Sequence, residues 1–168
     1  MSSSEVRAVP HGYAAVTPWI ISRDTAQLIE FTKAAFGAEE LGRVPGPAGG
    51  IEHAEVRIGD SVVMMFDAYQ DWPDTPSFLR LYVEDGDAVF ERALNAGAAP
   101  VTRMTSLFFG DRVGRVRDLL GNIWWIQTHL EDVDPVQMAP RSADPAAARP
   151  CSTSRNRCTR RCASADFH

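Results

Sequence analysis

The first cysteine of this 168-residue chain is Cys151, and the other two, Cys158 and Cys162, follow it closely. Everything before them is therefore expected to fold without a disulfide framework or a thiolate metal site. Long hydrophobic runs are missing too. None approaches the roughly 18 residues that would mark a membrane span. The opening MSSSEVRAVPHGY has no apolar stretch of the kind a secretory leader needs, so a cytoplasmic location with no membrane partner is expected. Excess positive charge is lacking over most of the chain. Residues 1–134 hold 11 Lys/Arg against 20 Asp/Glu, a balance of −9, and residues 135–168 hold 6 Arg against 2 Asp, a balance of +4, which sum to the overall −5. An acidic body repels phosphates, which argues against a nucleic-acid partner. The P-loop, the dinucleotide fingerprint and the nucleophile elbow are also absent.

What is present is an ordinary globular composition, 45% hydrophobic and 23% charged, in a length suited to one domain. Three segments are expected: a flexible arm over 1–12, a folded body over 13–134 and a disordered basic tail over 135–168. The tail is rich in Pro, Ala, Ser and Arg, and its sizeable apolar groups are only Val136, Met138 and Phe167. That is too little apolar surface to offset the entropy of ordering it. Its basic run reads most simply as solvated.

The body shows strand and helix signals in a repeated order. Val16–Ser22 suits a buried strand. Asp24 then offers an N-cap, Leu28, Ile29, Phe31, Ala35 and Phe36 fall at helical spacing, and Gly37 closes the helix. Turns at 45–50 and 59–60 separate strands near 39–44, 51–58 and 61–67. The series then recurs: a strand over 78–84, a helix capped by Asp85 and closed by Gly97, and strands near 99–103, 111–117 and 123–129. Asp24 matches Asp85 and Glu30 matches Glu91 at an offset of 61, and Gly37-Ala38 matches Gly97-Ala98 at an offset of 60. A period near 60 is a duplicated strand–helix–strand–strand–strand unit. The expected fold class is α+β, with two such units forming curved mixed sheets around a cavity able to hold a small molecule.

A paired unit of this kind resembles the vicinal oxygen chelate superfamily of glyoxalases, extradiol dioxygenases, fosfomycin-inactivating enzymes and bleomycin-binding proteins. The resemblance runs over about residues 13–133. It is carried by Thr17–Glu30 with Phe31-Thr32-Lys33-Ala34-Ala35-Phe36-Gly37-Ala38-Glu39, by Ile51–Ser61, by Leu81-Tyr82-Val83-Glu84-Asp85, and by Phe109-Gly110-Asp111-Arg112 with Gly114–Asp118 and Gly121. The closing segments are similar to the PhnB-like branch. The resemblance implies a homodimer. It also implies a divalent metal held by His, Glu or Gln from the first, fourth, fifth and eighth strands. Those positions correspond here to Thr17, Met65, Phe78 and Trp125, which form no ligand set for a hard cation. No metal and no cofactor are therefore expected.

With those side chains in the ligand positions, the pocket is expected to be aromatic and apolar, suited to a small, partly aromatic ligand. Strand alternation adds Trp19, Arg80, Tyr82, Ile123 and Gln127 to the same face. Phe108, in the loop 104–109, is expected at the rim. Arg80 is the candidate partner for a carboxylate or phosphate, although plain core packing also accounts for the aromatic residues. His53 and Glu55 share a strand face and are the candidate catalytic pair, with an ion-paired surface as the plainer reading. His53-Ala54-Glu55 does not belong to a zinc-deaminase signature, because Cys151 and Cys158 lack the Cys-x-x-Cys spacing. His129 reads as a solvated strand end, and Asp111, Arg112, Arg115, Arg117 and Asp118 read as cross-strand charge pairs. The expected function is metal-free binding of a small molecule, with drug sequestration as one form of it. A glyoxalase-like lyase or isomerase, or a dioxygenase-related enzyme with an atypical site, is the alternative. A structural dimer with a filled cavity is the other.

Overall fold

Asp24 and Asp85 both cap helices, as their positions ahead of the apolar-periodic segments require. In the computed structural model, which describes residues 6–47 and 49–143, Asp24 Oδ1 accepts from the Gln27 backbone N–H at 2.9 Å and Asp85 Oδ1 from that of Ala88 at 3.0 Å. The fold is α+β and divides into two units, Met1–Pro76 and Ser77–His168.

The first unit contains β1 (Trp19–Ser22), α1 (Thr25–Phe36), β2 (Glu39–Pro45), β3 (Ile51–Ile58) and β4 (Ser61–Asp67). Its sheet order is β1-β4-β3-β2, with β1 parallel to β4 and the other pairs antiparallel. Leu28, Ile29, Phe31 and Ala35 of α1 are buried against one face of the sheet, where Ile20, Ala54, Val56, Val63 and Met65 lie. The carboxylate of Asp67 ties the elements at one end, accepting from the backbone N–H of Thr25 at 2.7 Å and of Ile51 at 2.8 Å. Gly37, at φ 68°, ends α1 in the left-handed conformation that only glycine adopts without strain.

The second unit repeats the plan with β5 (Phe78–Tyr82), α2 (Gly86–Asn95), β6 (Ala99–Ser106), β7 (Asp111–Arg117) and β8 (Ile123–His129). Its order is β5-β8-β7-β6, again with the outer pair β5 and β8 parallel. Val89, Phe90 and Ala93 of α2 are buried on one side of the sheet, with Val116, Trp124 and Ile126. The close approach depends on Gly114, where a Cβ would stand 2.4 Å from Met104 Sδ and 3.1 Å from the Phe90 ring. Here Thr128 takes the place of Asp67, and its hydroxyl accepts from the Gly86 N–H at 2.8 Å. Asp118 organises the turn before β8. It is 5% exposed and accepts four hydrogen bonds, from the N–H groups of Leu120 and Asn122, from Asn122 Nδ2 and from Trp124 Nε1, all at 2.8–2.9 Å.

Several sequence expectations are corrected. The first strand begins at Trp19, so Thr17 lies ahead of it, with its hydroxyl donating to the Ala14 carbonyl at 3.1 Å. The strand expected over 78–84 ends at Tyr82, and the one expected near 99–103 runs on to Ser106, taking Met104 and Thr105 out of the expected loop. The segment expected to be disordered from 135 begins with a third helix, α3 (Pro135–Ala143). Local chemistry accounts for it: proline suits the first helical turn, Asp134 accepts from the Val136 N–H at 2.8 Å, and Arg141 pairs with Glu131. None of its side chains is buried. The rest of the expected tail, with all three cysteines, lies outside the described residues, as do residues 1–5 of the expected arm. Among the described residues no helix is long and apolar enough to cross a membrane.

Candidate functional site

In the second unit, the sheet face away from α2 carries Phe78, Arg80 and Tyr82 from β5, Ile123, Trp125, Gln127 and His129 from β8, and Asp111, Val113, Arg115 and Arg117 from β7. The register sets these residues side by side: Phe78 beside Ile123, Arg80 beside Trp125 and Tyr82 beside Gln127, with Arg115 and Asp111 opposite Trp125 and His129. Trp125 is the centre of this face. The Arg80 guanidinium lies 4.5 Å from its ring centroid and that of Arg115 lies 3.8 Å from it, one from each neighbouring strand. The Phe78 ring meets it edge-on at 5.9 Å. Phe78 and Tyr82 are 55% and 62% exposed, large values for aromatic side chains on a sheet.

A polar network closes one end of this face. Asp111, 6% exposed, accepts from Gln127 Nε2 through one carboxylate oxygen and lies 2.6 Å from His129 Nδ1 through the other. Tyr82 Oη is 3.4 Å from Gln127 Nε2, and His129 Nε2 is 3.0 Å from Asp132. The two carboxylates, Asp111 first, raise the His129 pKa above its ordinary value. With a buried carboxylate on Nδ1 and an exposed one on Nε2, the ring is held as an imidazolium, and it becomes a general base only when Nε2 loses its proton and leaves Asp132. Sequence reading placed His129 at a solvated strand end, where it lies with its side chain 51% exposed, but missed its pairing with Asp111. The signal was available, because a hairpin turning over 118–122 sets Asp111 opposite His129. Two other charges of this hairpin, Arg112 and Asp118, find partners other than the expected cross-strand charges. Arg112 reaches Asp87 of α2 at 2.5 Å, Arg115 covers Trp125, and Asp118 binds the turn.

Phe108, the expected rim residue, is half-buried in the turn between β6 and β7, with its ring 5.3 Å from that of Phe109. That turn requires Gly110 at φ 91°, where a Cβ would come within 2.2 Å of the Glu131 carbonyl oxygen.

In the first unit, the face away from α1 carries Trp19, Met64, Phe66, His53 and Glu55. Met65 is not on it. Trp19 lies beside Met64 and Ile20 beside Met65, so Met65 points to the helix side, at 0% exposure. The misplacement has a definite cause. An offset of 60 relates β2 and β3 to β6 and β7, but 61 relates β1 and β4 to β5 and β8. The turn between β7 and β8 is one residue longer than that between β3 and β4, since Arg57 pairs with Val62 but Arg117 with Ile123. The repeat partner of Trp125 is therefore Met64.

His53 Nε2 lies 2.9 Å from Glu55 Oε1, and Tyr13 Oη donates to Glu55 Oε2 at 2.6 Å. These two bonds, that from Tyr13 first, hold the Glu55 carboxyl below the usual range and make it a weaker base. Sequence reading also missed an aromatic cluster here. Phe66 touches Trp19, Tyr69 and Trp72 at centroid distances of 5.6, 6.3 and 5.8 Å. Arg23 pins the segment carrying the last two by bonding Asp74 at 2.7 Å and the carbonyls of Tyr69 and Trp72. An open cleft of about 530 Å³ at the start of α1 is lined by Arg23, Asp24, Arg43 and Asp67. Protein partners already engage these charges: Asp74 on Arg23, Glu40 on Arg43, and backbone N–H groups on both aspartates.

The sequence profile of the Glyoxalase/Bleomycin resistance protein/Dioxygenase superfamily matches residues 12–126. The chain belongs to this superfamily. It is 40% identical over 144 residues to the uncharacterized protein Mb0911c of Mycobacterium bovis, a match spanning 76% of this chain and 93% of that protein. Among solved structures it is similar to TioX from Micromonospora sp. ML1, with a TM-score of 0.60 and 26% identity over 70% of this chain and 99% of the other. It also shares its fold with the fosfomycin resistance protein FosX from Mesorhizobium loti, with a TM-score of 0.52 and 16% identity over 68% and 91% of the two chains.

The divalent metal implied by the superfamily resemblance does not fit these residues. Thr17, Phe78 and Trp125 offer no carboxylate or imidazole, and neither Met65 nor Met64 does. Thioether and hydroxyl groups alone do not hold a hard cation. Among the described residues, no group of three or more His, Cys, Asp or Glu side chains could hold a metal ion. The chemistry of the site is therefore that of its aromatic, guanidinium and imidazole groups.

Proposed function

We propose that this protein binds a flat, partly aromatic small molecule bearing an anionic group, and that it does so on the Trp125 face of the second unit. The observation that carries the reading is the Trp125 ring set between Arg80 and Arg115, with Phe78 and Tyr82 exposed beside it. Stacking on exposed aromatic rings contributes apolar burial with little loss of side-chain freedom. Among the described residues Arg80 has no carboxylate partner, so an anionic substituent gains a charge-assisted hydrogen bond without displacing one. Sequestration of an aromatic drug is one form of this function, supported by the shared fold of the fosfomycin resistance protein. The reading includes a cytoplasmic homodimer with no nucleic-acid partner, consistent with the acidic body. Titration with a panel of aromatic carboxylates and apolar drugs, followed by Trp fluorescence, tests it. Micromolar binding that is lost in Trp125→Leu and weakened in Arg80→Met is expected, and silence across the panel refutes the proposal.

A second reading rests on the His129–Asp111 pair. That pair suits metal-independent proton transfer, in which His129 Nε2, once it has given up its own proton and left the exposed Asp132 carboxylate, takes a proton from a carbon acid bound along the same face. It replaces His53 and Glu55 as the candidate base. Deuterium wash-in from heavy water into a bound carbon acid would support this reading, provided His129→Gln abolishes it.

A further inference from the structure

Two buried side-chain polar atoms among the described residues lack any hydrogen-bond partner, and they are Trp125 Nε1 and Gln127 Oε1. Both belong to β8, two positions apart, on the face away from α2. One is a donor and the other an acceptor. Buried polar groups are nearly always paired, so two orphans of opposite sense on one strand face point to a common missing partner.

The orientation of the Gln127 amide is fixed by its neighbours. Gln127, 2% exposed, donates through Nε2 to Asp111, with Tyr82 Oη also 3.4 Å away. Turning the amide over would set its oxygen against the Asp111 carboxylate, so Oε1 stays directed away from it. Asp111 is held in turn by His129. The Arg80 and Arg115 guanidinium groups lie over the Trp125 ring, and its N–H, like Gln127 Oε1, is closed to solvent, so a ligand meets the two atoms only as the long side chains over them swing aside.

We infer that the ligand presents a lactam or imide edge to this pair, its carbonyl accepting from Trp125 Nε1 and its adjacent N–H donating to Gln127 Oε1. This inference rests on the proposed binding role of the same face and adds the ligand's polar pattern to it. A carboxylate cannot satisfy both atoms, because it only accepts and repels Gln127 Oε1. A purely apolar ring satisfies neither. A lactam supplies both functions from neighbouring atoms in the plane of an aromatic frame, and that frame is what the exposed Phe78 and Tyr82 rings accommodate. A carboxylate elsewhere on the frame meets Arg80. The ligand class is therefore a planar lactam or imide heterocycle with an acidic substituent.

Calorimetric titration of the full chain with three probes tests this: 2-oxo-1,2-dihydroquinoline-4-carboxylate, its N-methyl derivative and 1-naphthoate. All three carry the flat frame and the anion, but only the first has the complete lactam edge. The lactam is expected to bind about tenfold or more tighter than 1-naphthoate, and N-methylation to remove about five- to tenfold, the worth of one net hydrogen bond. Trp125→Phe and Gln127→Met should shrink the preference for the lactam to within about twofold, while naphthoate binding in the same variants reports an intact face. Equal affinity of the wild-type chain for the lactam and 1-naphthoate overturns the inference and leaves the aromatic binding role standing. Failure of all three probes to bind overturns the inference and the binding role together.

Discussion

Met65→Ala and Met64→Ala should have opposite consequences, although the residues are adjacent. Met65 is at 0% exposure beneath α1, beside Ile20 and opposite Ala54. Truncating a buried methionine removes transfer energy and leaves a cavity, together about 2–5 kcal/mol. Met65 sits between elements already tied by Asp67 at one end, so the site has little room to collapse and about 3 kcal/mol is expected. Met64 is half-buried on the other face, beside Trp19 and opposite Glu55. Its loss should cost under about 1 kcal/mol, in line with substitutions outside the core. Urea unfolding followed by circular dichroism measures both. With a slope of about 2 kcal/mol per molar, Met65→Ala should lower the midpoint by about 1.5 M, and Met64→Ala by under 0.5 M. Met64→Ala should instead shift the Trp19 emission, since the two side chains are cross-strand neighbours. If Met64→Ala proves the costlier change, the offset of 60 extends through β4 and the register argument fails.

Two further outcomes follow from buried or oriented carboxylates. Asp118→Ala leaves four N–H donors without their acceptor, Trp124 Nε1 among them. It should destabilise the chain by about 3–5 kcal/mol in urea unfolding, with Asp118→Asn intermediate because the amide keeps one accepting oxygen. A loss under about 1 kcal/mol for Asp118→Ala would show that the network is dispensable. His129 should titrate by NMR above the ordinary histidine value of about 6.5, and Asp111→Asn should return it towards that value. Because its folded pKa is the raised one, its contribution to stability is complete below the unfolded pKa and is lost as pH rises through the folded pKa. His129→Gln should therefore flatten the stability profile across that window, and an unchanged profile refutes the assignment.

The elements legible in the sequence were those set by local chemistry. Asp24 and Asp85 cap helices because an aspartate can serve the N–H three residues ahead, and Gly37 and Gly97 end them because the chain must turn left-handed there. The face of the second unit was legible for a related reason, since alternation along β5 and β8 alone sets Phe78, Arg80, Tyr82, Trp125 and Gln127 together. Where reading failed, a distant partner decided. The Met65 error came from one extra residue in a turn whose length is fixed by Asp118 binding Leu120, Asn122 and Trp124, contacts that residue spacing does not announce. The aromatic cluster at Trp19 and Phe66 escaped notice because Arg23 holds Tyr69 and Trp72 near it across more than 40 residues of chain. The third helix formed in a segment read by composition, because composition ignores the capping by Asp134 and the Arg141–Glu131 pair.

The two units show where the duplication was free to diverge. On the helix side they use the same device at repeat-related positions, a side-chain oxygen at the end of the fourth strand holding the first N–H of the helix: Asp67 on Thr25 in one and Thr128 on Gly86 in the other. On the opposite face, the related positions hold unlike chemistry. Trp19 corresponds to Arg80, Met64 to Trp125, Phe66 to Gln127 and Glu55 to Arg115. Substitutions on the helix side disturb packing under α1 or α2 and are costly, whereas half-exposed positions on the other face tolerate changes of charge and shape at small cost. Under the proposed function, recognition falls to the face of the second sheet opposite the one that carries its stability. That separation leaves the second unit free to carry an aromatic and guanidinium face, and under the proposed function each replacement there should change what is bound more than whether the chain folds.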